Sequence, residues 1–270
     1  MVFSQCAGIL LDHYKAKGDM QTCFIIFCIT VTALALLHLV IMLMTHEPKP
    51  ETVTPPKRLG EIWHTVFDNA DLRRVIVFDT LFGIANVSLY FYSVYLTQTM
   101  GFSYTYITAI AILNAAFRAF VSPFLGRLAD RRSWAYMLRI CMVVLAAGYV
   151  AFMFCTTTTA LWLYPVFSLC YAFSLGGSNA GRTNLCLDYV SFEDRRYVLG
   201  IKDAIRGVCD FGATIPASLL VEYVEKNGNR LFGFSVYPQQ ILFAFSAAML
   251  LILAFGFLPR LKSPERLHVK

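Results

Sequence analysis

The chain has 270 residues, of which 57% are hydrophobic and 15% charged, with a mean hydropathy of +0.59, too little polar surface to clothe a water-soluble core. Its net charge of +6 does not point to nucleic acid, because the basic residues gather at the edges of apolar runs rather than in a patch. Composition alone therefore predicts a membrane protein.

Only helices or closed barrels satisfy the backbone in lipid, and apolar runs of helix length without strand-like alternation predict an all-α polytopic bundle. Crossing the hydrocarbon takes about 20 helical residues. Met1–Leu11 is apolar but reaches only about 16 Å. It is read as the end of a truncated span, followed by an external loop to residue 19. The first complete span is Met20–Met44. Residues 45–74 form a basic linker that opens Pro-rich and then places Leu59, Ile62, Trp63, Val66 and Phe67 on one helical face, which predicts a short amphipathic helix on the membrane surface. Asn69 or Asp71 can cap the span that follows.

Six further spans are predicted within 75–258: Val75–Gln98, Tyr104–Leu125, Trp134–Thr156, Ala160–Ser178, Ile201–Val221 and Pro238–Leu258, with a tail at 259–270. Most of the 23 Lys and Arg residues fall on one alternating set of connections, which includes Arg73, Arg74, Arg131, Arg139, Arg182, Arg196 and Lys202. That side, carrying the carboxyl terminus, is predicted to be cytoplasmic, in a cell membrane. The eight cysteines are scattered singly and read as small packing residues. No metal-ligand spacing, phosphate loop or nucleophile motif is present, so neither enzymatic chemistry nor a cofactor is expected.

Polar residues step by three or four along some spans and not others. Asp79, Gly83, Asn86, Tyr90, Ser93 and Thr97 form one stripe; Thr108, Asn114, Arg118 and Ser122 a second; Tyr164, Ser168, Tyr171 and Ser178 a third; Asp203, Arg206, Asp210, Thr214 and Ser218 a fourth. The fourth and seventh spans carry no charge between Ile140 and Thr156 or between Gln240 and Leu258. Hydroxyls and small residues can simply glue helices together, but that does not cover Asp79, Arg118 and Asp210. Gly176, Gly177 and Gly181 permit close helix contact, and His38 reads as a neutral packed histidine.

The stretch Gly126-Arg-Leu-Ala-Asp130-Arg131 on the cytoplasmic side, after the second of the six spans, resembles the signature of the major facilitator superfamily. It is similar to the weaker copy between that family's helices eight and nine, since Ser133, Trp134 and Ala135 stand where the strong motif has glycine and basic residues. Glu193-Asp194-Arg195-Arg196 with Gly200 resembles the acidic and arginine cluster between helices ten and eleven. The resemblance covers essentially the whole chain, as the end of helix five, helix six and helices seven to twelve. It implies the carboxyl-terminal half of a secondary transporter moving a small solute by alternating access, with four striped helices around water and two apolar ones facing lipid.

On that reading the solute cavity comprises Asp79, Asn86, Tyr90, Asn114, Arg118, Tyr171 and Asp210. A cytoplasmic latch comprises Gly126, Asp130, Arg131, Arg139, Glu193 and Arg196. The expected partners are the lipid bilayer, a small-molecule solute, a coupling proton or sodium ion and the missing amino-terminal half. Arg118, about 13 Å deep, and Asp210, about 15 Å deep, match closely enough to form an intramembrane ion pair, with Arg206 as the competitor one turn before the aspartate. A seven-span receptor or sensor that transports nothing shares the helix count, but it explains neither Gly126 with Asp130 nor the half-span at Met1–Leu11.

Overall fold

The computed structural model describes residues 2–45, 59–231 and 234–261. The Pro-rich opening of the linker and most of the basic tail lie outside them. Among the described residues, seven helices are long and apolar enough to cross a membrane: Met20–Met44, Ala70–Thr99, Tyr104–Arg131, Trp134–Met153, Ala160–Leu187, Arg195–Lys226 and Pro238–Arg260. The protein is an all-α membrane bundle. Among the described residues the strand content is a two-residue antiparallel pairing of β1 (Arg230–Leu231) with β2 (Phe234–Ser235) between the last two spans. The fold divides into two compact units, Met1–Arg58 with Phe102–Ile112, and Leu59–Gly101 with Leu113–Lys270.

In the first unit, α1 (Val2–Lys17) turns at Gly18, whose φ of 72° suits a residue without a Cβ, into α2 (Met20–Met44). Asp19 caps α2 by accepting from the Thr22 N–H at 3.2 Å. Asp12 accepts the backbone N–H groups of Tyr104 and Thr105 at 2.8 and 2.7 Å, and so satisfies free donors at the start of α6 (Tyr104–Arg131). Gly8 lets α1 close on Thr108, which bonds Gln5 at 3.2 Å. Along α2 only Cys23 is buried. His38 is exposed rather than packed.

The second unit begins with the amphipathic helix α3 (Leu59–Asp68), where Trp63 stacks on Phe67 with ring centres 4.3 Å apart and Val66 is fully buried. Asn69 caps α4 (Ala70–Ala85), accepting from the N–H groups of Asp71 and Leu72 at 3.1 Å each. The span continues as α5 (Leu89–Val94) and a widened turn at Tyr95–Thr99.

At the centre lie α7 (Trp134–Met153), α8 (Ala160–Leu187) and α10 (Pro238–Ile252). A Cβ on Gly148 would come within 2.7 Å of the Cys170 Cβ, and one on Gly177 within 2.5 Å of the Met137 Sδ, so these glycines set the close approach of α7 and α8. Tyr149, Phe152, Phe167 and Phe243 tie the three helices through ring contacts of 4.8 to 5.9 Å. The two apolar spans, α7 and α10, thus each bury one side against the striped α8. Half of the apolar window of α7 is buried, against 6% of those of α6 and α9 (Arg195–Lys226), but the striped span Ala70–Thr99 is 50% buried too, so burial does not sort by stripe. Close packing of small and aromatic side chains drives this helix association in lipid.

Candidate functional site

The second span breaks near its midpoint. At Asn86-Val87-Ser88 the backbone leaves the α pattern: the N–H groups of Asn86 and Val87 bond back three residues, to Gly83 and Ile84, at 2.9 and 3.1 Å. The Phe82 carbonyl freed by this tightening accepts the Asn86 Nδ2 at 2.7 Å, and the Asn86 Oδ1 accepts the Tyr149 hydroxyl at 2.7 Å. A break inside a span is tolerated where its polar groups are re-satisfied and where it lines a cavity. Both conditions hold, since Gly83 and Asn86 line a cavity of about 390 Å³ between α4, α5, α8 and α9.

One end of that cavity rests on a buried ion cluster. Asp79 of α4, 1% exposed, accepts the Arg182 Nη1 of α8 at 2.8 Å and the Lys202 Nζ of α9 at 3.4 Å. Lys202 also meets the outward-facing Asp203 at 2.9 Å. Arg182 is held further by the Ser178 carbonyl at 3.3 Å, by the Asn179 Oδ1 at 3.4 Å and over the Phe82 ring at 4.6 Å. One buried carboxylate between two cations from two other helices is a charge-assisted tie.

Of the expected cavity residues, Asn86, Tyr90 and Tyr171 line this space, whereas Asp79 lies behind Arg182 as its counter-ion. Asn114 donates to the Ser168 carbonyl at 2.8 Å and joins α6 to α8. Arg118 lines a neighbouring cavity with Ser122 and Asn179. The expected pair of Arg118 and Asp210 does not form. Asp210 instead meets Arg206, four residues before it on α9, at 3.3 Å, because one helical turn brings the two side chains together without bridging α6 and α9. Its carboxylate presses on Gly83 of α4, where a Cβ would sit 2.8 Å from the Asp210 Cγ.

The model of the Major Facilitator Superfamily matches residues 1–214, a stretch holding the broken span, the ion cluster and the cavity. The chain belongs to this superfamily. It is thus a multi-pass membrane transporter chain, working in a lipid bilayer on a small solute. No curated protein and no solved structure matches it.

The residues expected to form a latch lie at or near helix ends. Gly126 has open space where a Cβ would be, and Asp130 and Arg131 are exposed at the end of α6. Arg139 of α7 stacks on Phe255 at 4.7 Å. Glu193 is exposed before α9, and Arg196 donates to the Tyr197 hydroxyl at 2.7 Å.

Sequence reasoning missed Arg182 and Lys202 as site residues, placing them among membrane-edge anchors, yet they are 8% and 4% exposed. The predicted spans end at Ser178 and begin at Ile201, whereas α8 and α9, at 28 and 32 residues, are about 42 and 48 Å long. Both exceed the roughly 30 Å hydrocarbon thickness, so their basic residues can sit well inside the helix bundle.

Proposed function

We propose that this chain forms the carboxyl-terminal half of a secondary transporter that carries its solute by alternating access across a cell membrane, with its carboxyl end in the cytoplasm. The observation that carries this reading is the midspan break at Asn86–Ser88 opening on a polar cavity whose buried Arg182 shares the Asp79 carboxylate of α4 with Lys202 of α9. Such a cluster joins α4, α8 and α9 into a unit that can move as one body against another.

An amino-terminal half completes the cavity on this reading, and it covers the outer faces of α6 and α9, where Val208 and Phe211 are 73% and 71% exposed. Gly126, Asp130, Arg131, Arg139, Glu193 and Arg196 act as the cytoplasmic latch that favours one of the two states. Coupling to a proton or a sodium ion supplies the driving force.

Counterflow into proteoliposomes of a panel of labelled small acids, amines and sugars tests the reading. A protein with both halves exchanges at least one class, and residues 1–270 alone exchange none. Flux through monomeric 1–270 refutes the two-half account.

A further inference from the structure

The cavity between α4, α5, α8 and α9 has features that the transport reading does not use. Ser174 and Ser178, 0% and 1% exposed, line it on α8, and neither hydroxyl oxygen has a hydrogen-bond partner among the described residues. A buried hydroxyl without a partner is costly, and two on one wall, one turn apart, mark a place where a guest supplies the missing acceptor. Both are donors, as are the two charged residues that line the same space, Arg182 and Arg206.

Arg182 is oriented by three acceptors and retains N–H groups beyond them. Arg206 makes only its ion pair to Asp210 through Nε, in a geometry that is not a hydrogen bond, so both its terminal nitrogens remain available. No carboxylate lines the cavity; Asp79 and Asp210 stand behind the arginines. Lys202 is neutralised from behind by Asp79 and Asp203, so the charge facing the cavity is that of the two guanidinium groups, Arg182 and Arg206. Phe82 and Leu145 give the same cavity an apolar portion.

We propose that this cavity binds a small organic monocarboxylate, its carboxylate taking hydrogen bonds from Ser174, Ser178, Arg182 and Arg206 and its apolar body lying against Phe82 and Leu145. The inference deepens the transport reading and rests on it. Two guanidinium groups beside two unpartnered hydroxyls suit an anion. A cation would meet the guanidinium groups, and a compact ion such as phosphate would leave the apolar side chains without contact.

The test is equilibrium binding of benzoate to the full chain in lipid nanodiscs, beside benzamide, benzylamine and inorganic phosphate. Benzoate binds at least about tenfold tighter than each of the other three, the margin of a charge-assisted contact. Ser174→Ala with Ser178→Ala weakens benzoate about tenfold, while the empty protein melts no lower, since the change removes two unsatisfied groups. A protein that merely needs those hydroxyls for packing would instead melt lower with benzoate affinity unchanged. Absence of benzoate binding, equal binding of benzamide or phosphate, or unchanged affinity in the serine variant overturns the proposal. Counterflow of sugars or amines without acids would overturn it too while leaving transport intact; benzoate binding with no flux of any solute would leave this proposal standing and overturn transport.

Discussion

Asp79→Asn removes the charge on which the buried cluster is centred, and its two cations differ in what they lose. Lys202 keeps a second carboxylate, Asp203, at 2.9 Å. Arg182 keeps only neutral acceptors, the Ser178 carbonyl at 3.3 Å and the Asn179 Oδ1 at 3.4 Å. Breaking a buried pair by removing one partner costs about 3–5 kcal/mol, and the retained acceptors put the expected loss near the lower figure, about 3 kcal/mol. A double-mutant cycle separates the two ties. Pairing Asp79→Asn with Arg182→Met should reveal a coupling of about 2–3 kcal/mol, and pairing it with Lys202→Met about 1 kcal/mol. Reversible unfolding of the chain in mixed micelles, titrated with a denaturing detergent, measures all of these variants. A coupling to Arg182 below about 0.5 kcal/mol, or a larger coupling to Lys202 than to Arg182, would refute the argument.

Two other substitutions probe how helices meet. Gly83→Ala drives a methyl into the Asp210 carboxylate and should cost about 1–3 kcal/mol by overpacking, whereas Gly200→Ala, with open space around it, should be neutral or mildly stabilising in the same unfolding assay. Burial raises the Asp12 carboxyl pKa, but bonds from Thr105 and Tyr104 and the nearby Lys15 outweigh it and hold the group below the ordinary carboxylate range. Its contribution is then complete above that range and fades as pH falls through the lowered value. Asp12→Ala, which removes a helix-start acceptor worth about 1 kcal/mol, should speed amide exchange at Tyr104 and Thr105 about fivefold at pH 7. Unchanged exchange there would show that Asp12 does not hold that helix start.

Much of the architecture was legible in the sequence because lipid leaves few options. Apolar length alone located the seven membrane helices. Asn69 was readable as a cap from its type and place, and Trp63 with Phe67 from their spacing on one face. What stayed hidden depended on depth and on which helix neighbours which. Arg73 and Arg74 made the second span look as though it began at Val75, yet α4 runs from Ala70, since a helix continues through interfacial arginines. A tally of basic residues by connection assigns Arg182 and Lys202 to the membrane edge, and only the packing of α4 against α8 and α9 reveals that Asp79 draws both inward. Matched depth suggested Arg118 for Asp210, but one turn of helix delivers Arg206 without bringing two helices together. The glycine and aromatic contacts that join α7 to α8 were equally hidden, because they depend on which faces meet.

The claim that these helices enclose a water-filled solute path is tested most directly at Leu175. It lines both the main cavity and the one beside Arg118, 12 residues from the nearer end of α8 and thus about 18 Å along that helix. In a protein with both halves, with the eight cysteines of this chain and those of the other half replaced, Leu175→Cys is treated with a charged thiol reagent that cannot enter lipid. The account predicts modification from one face of the membrane, with a rate that changes when transported solute is added. A cysteine at 175 that stays unmodified from both faces, with and without solute, would contradict it.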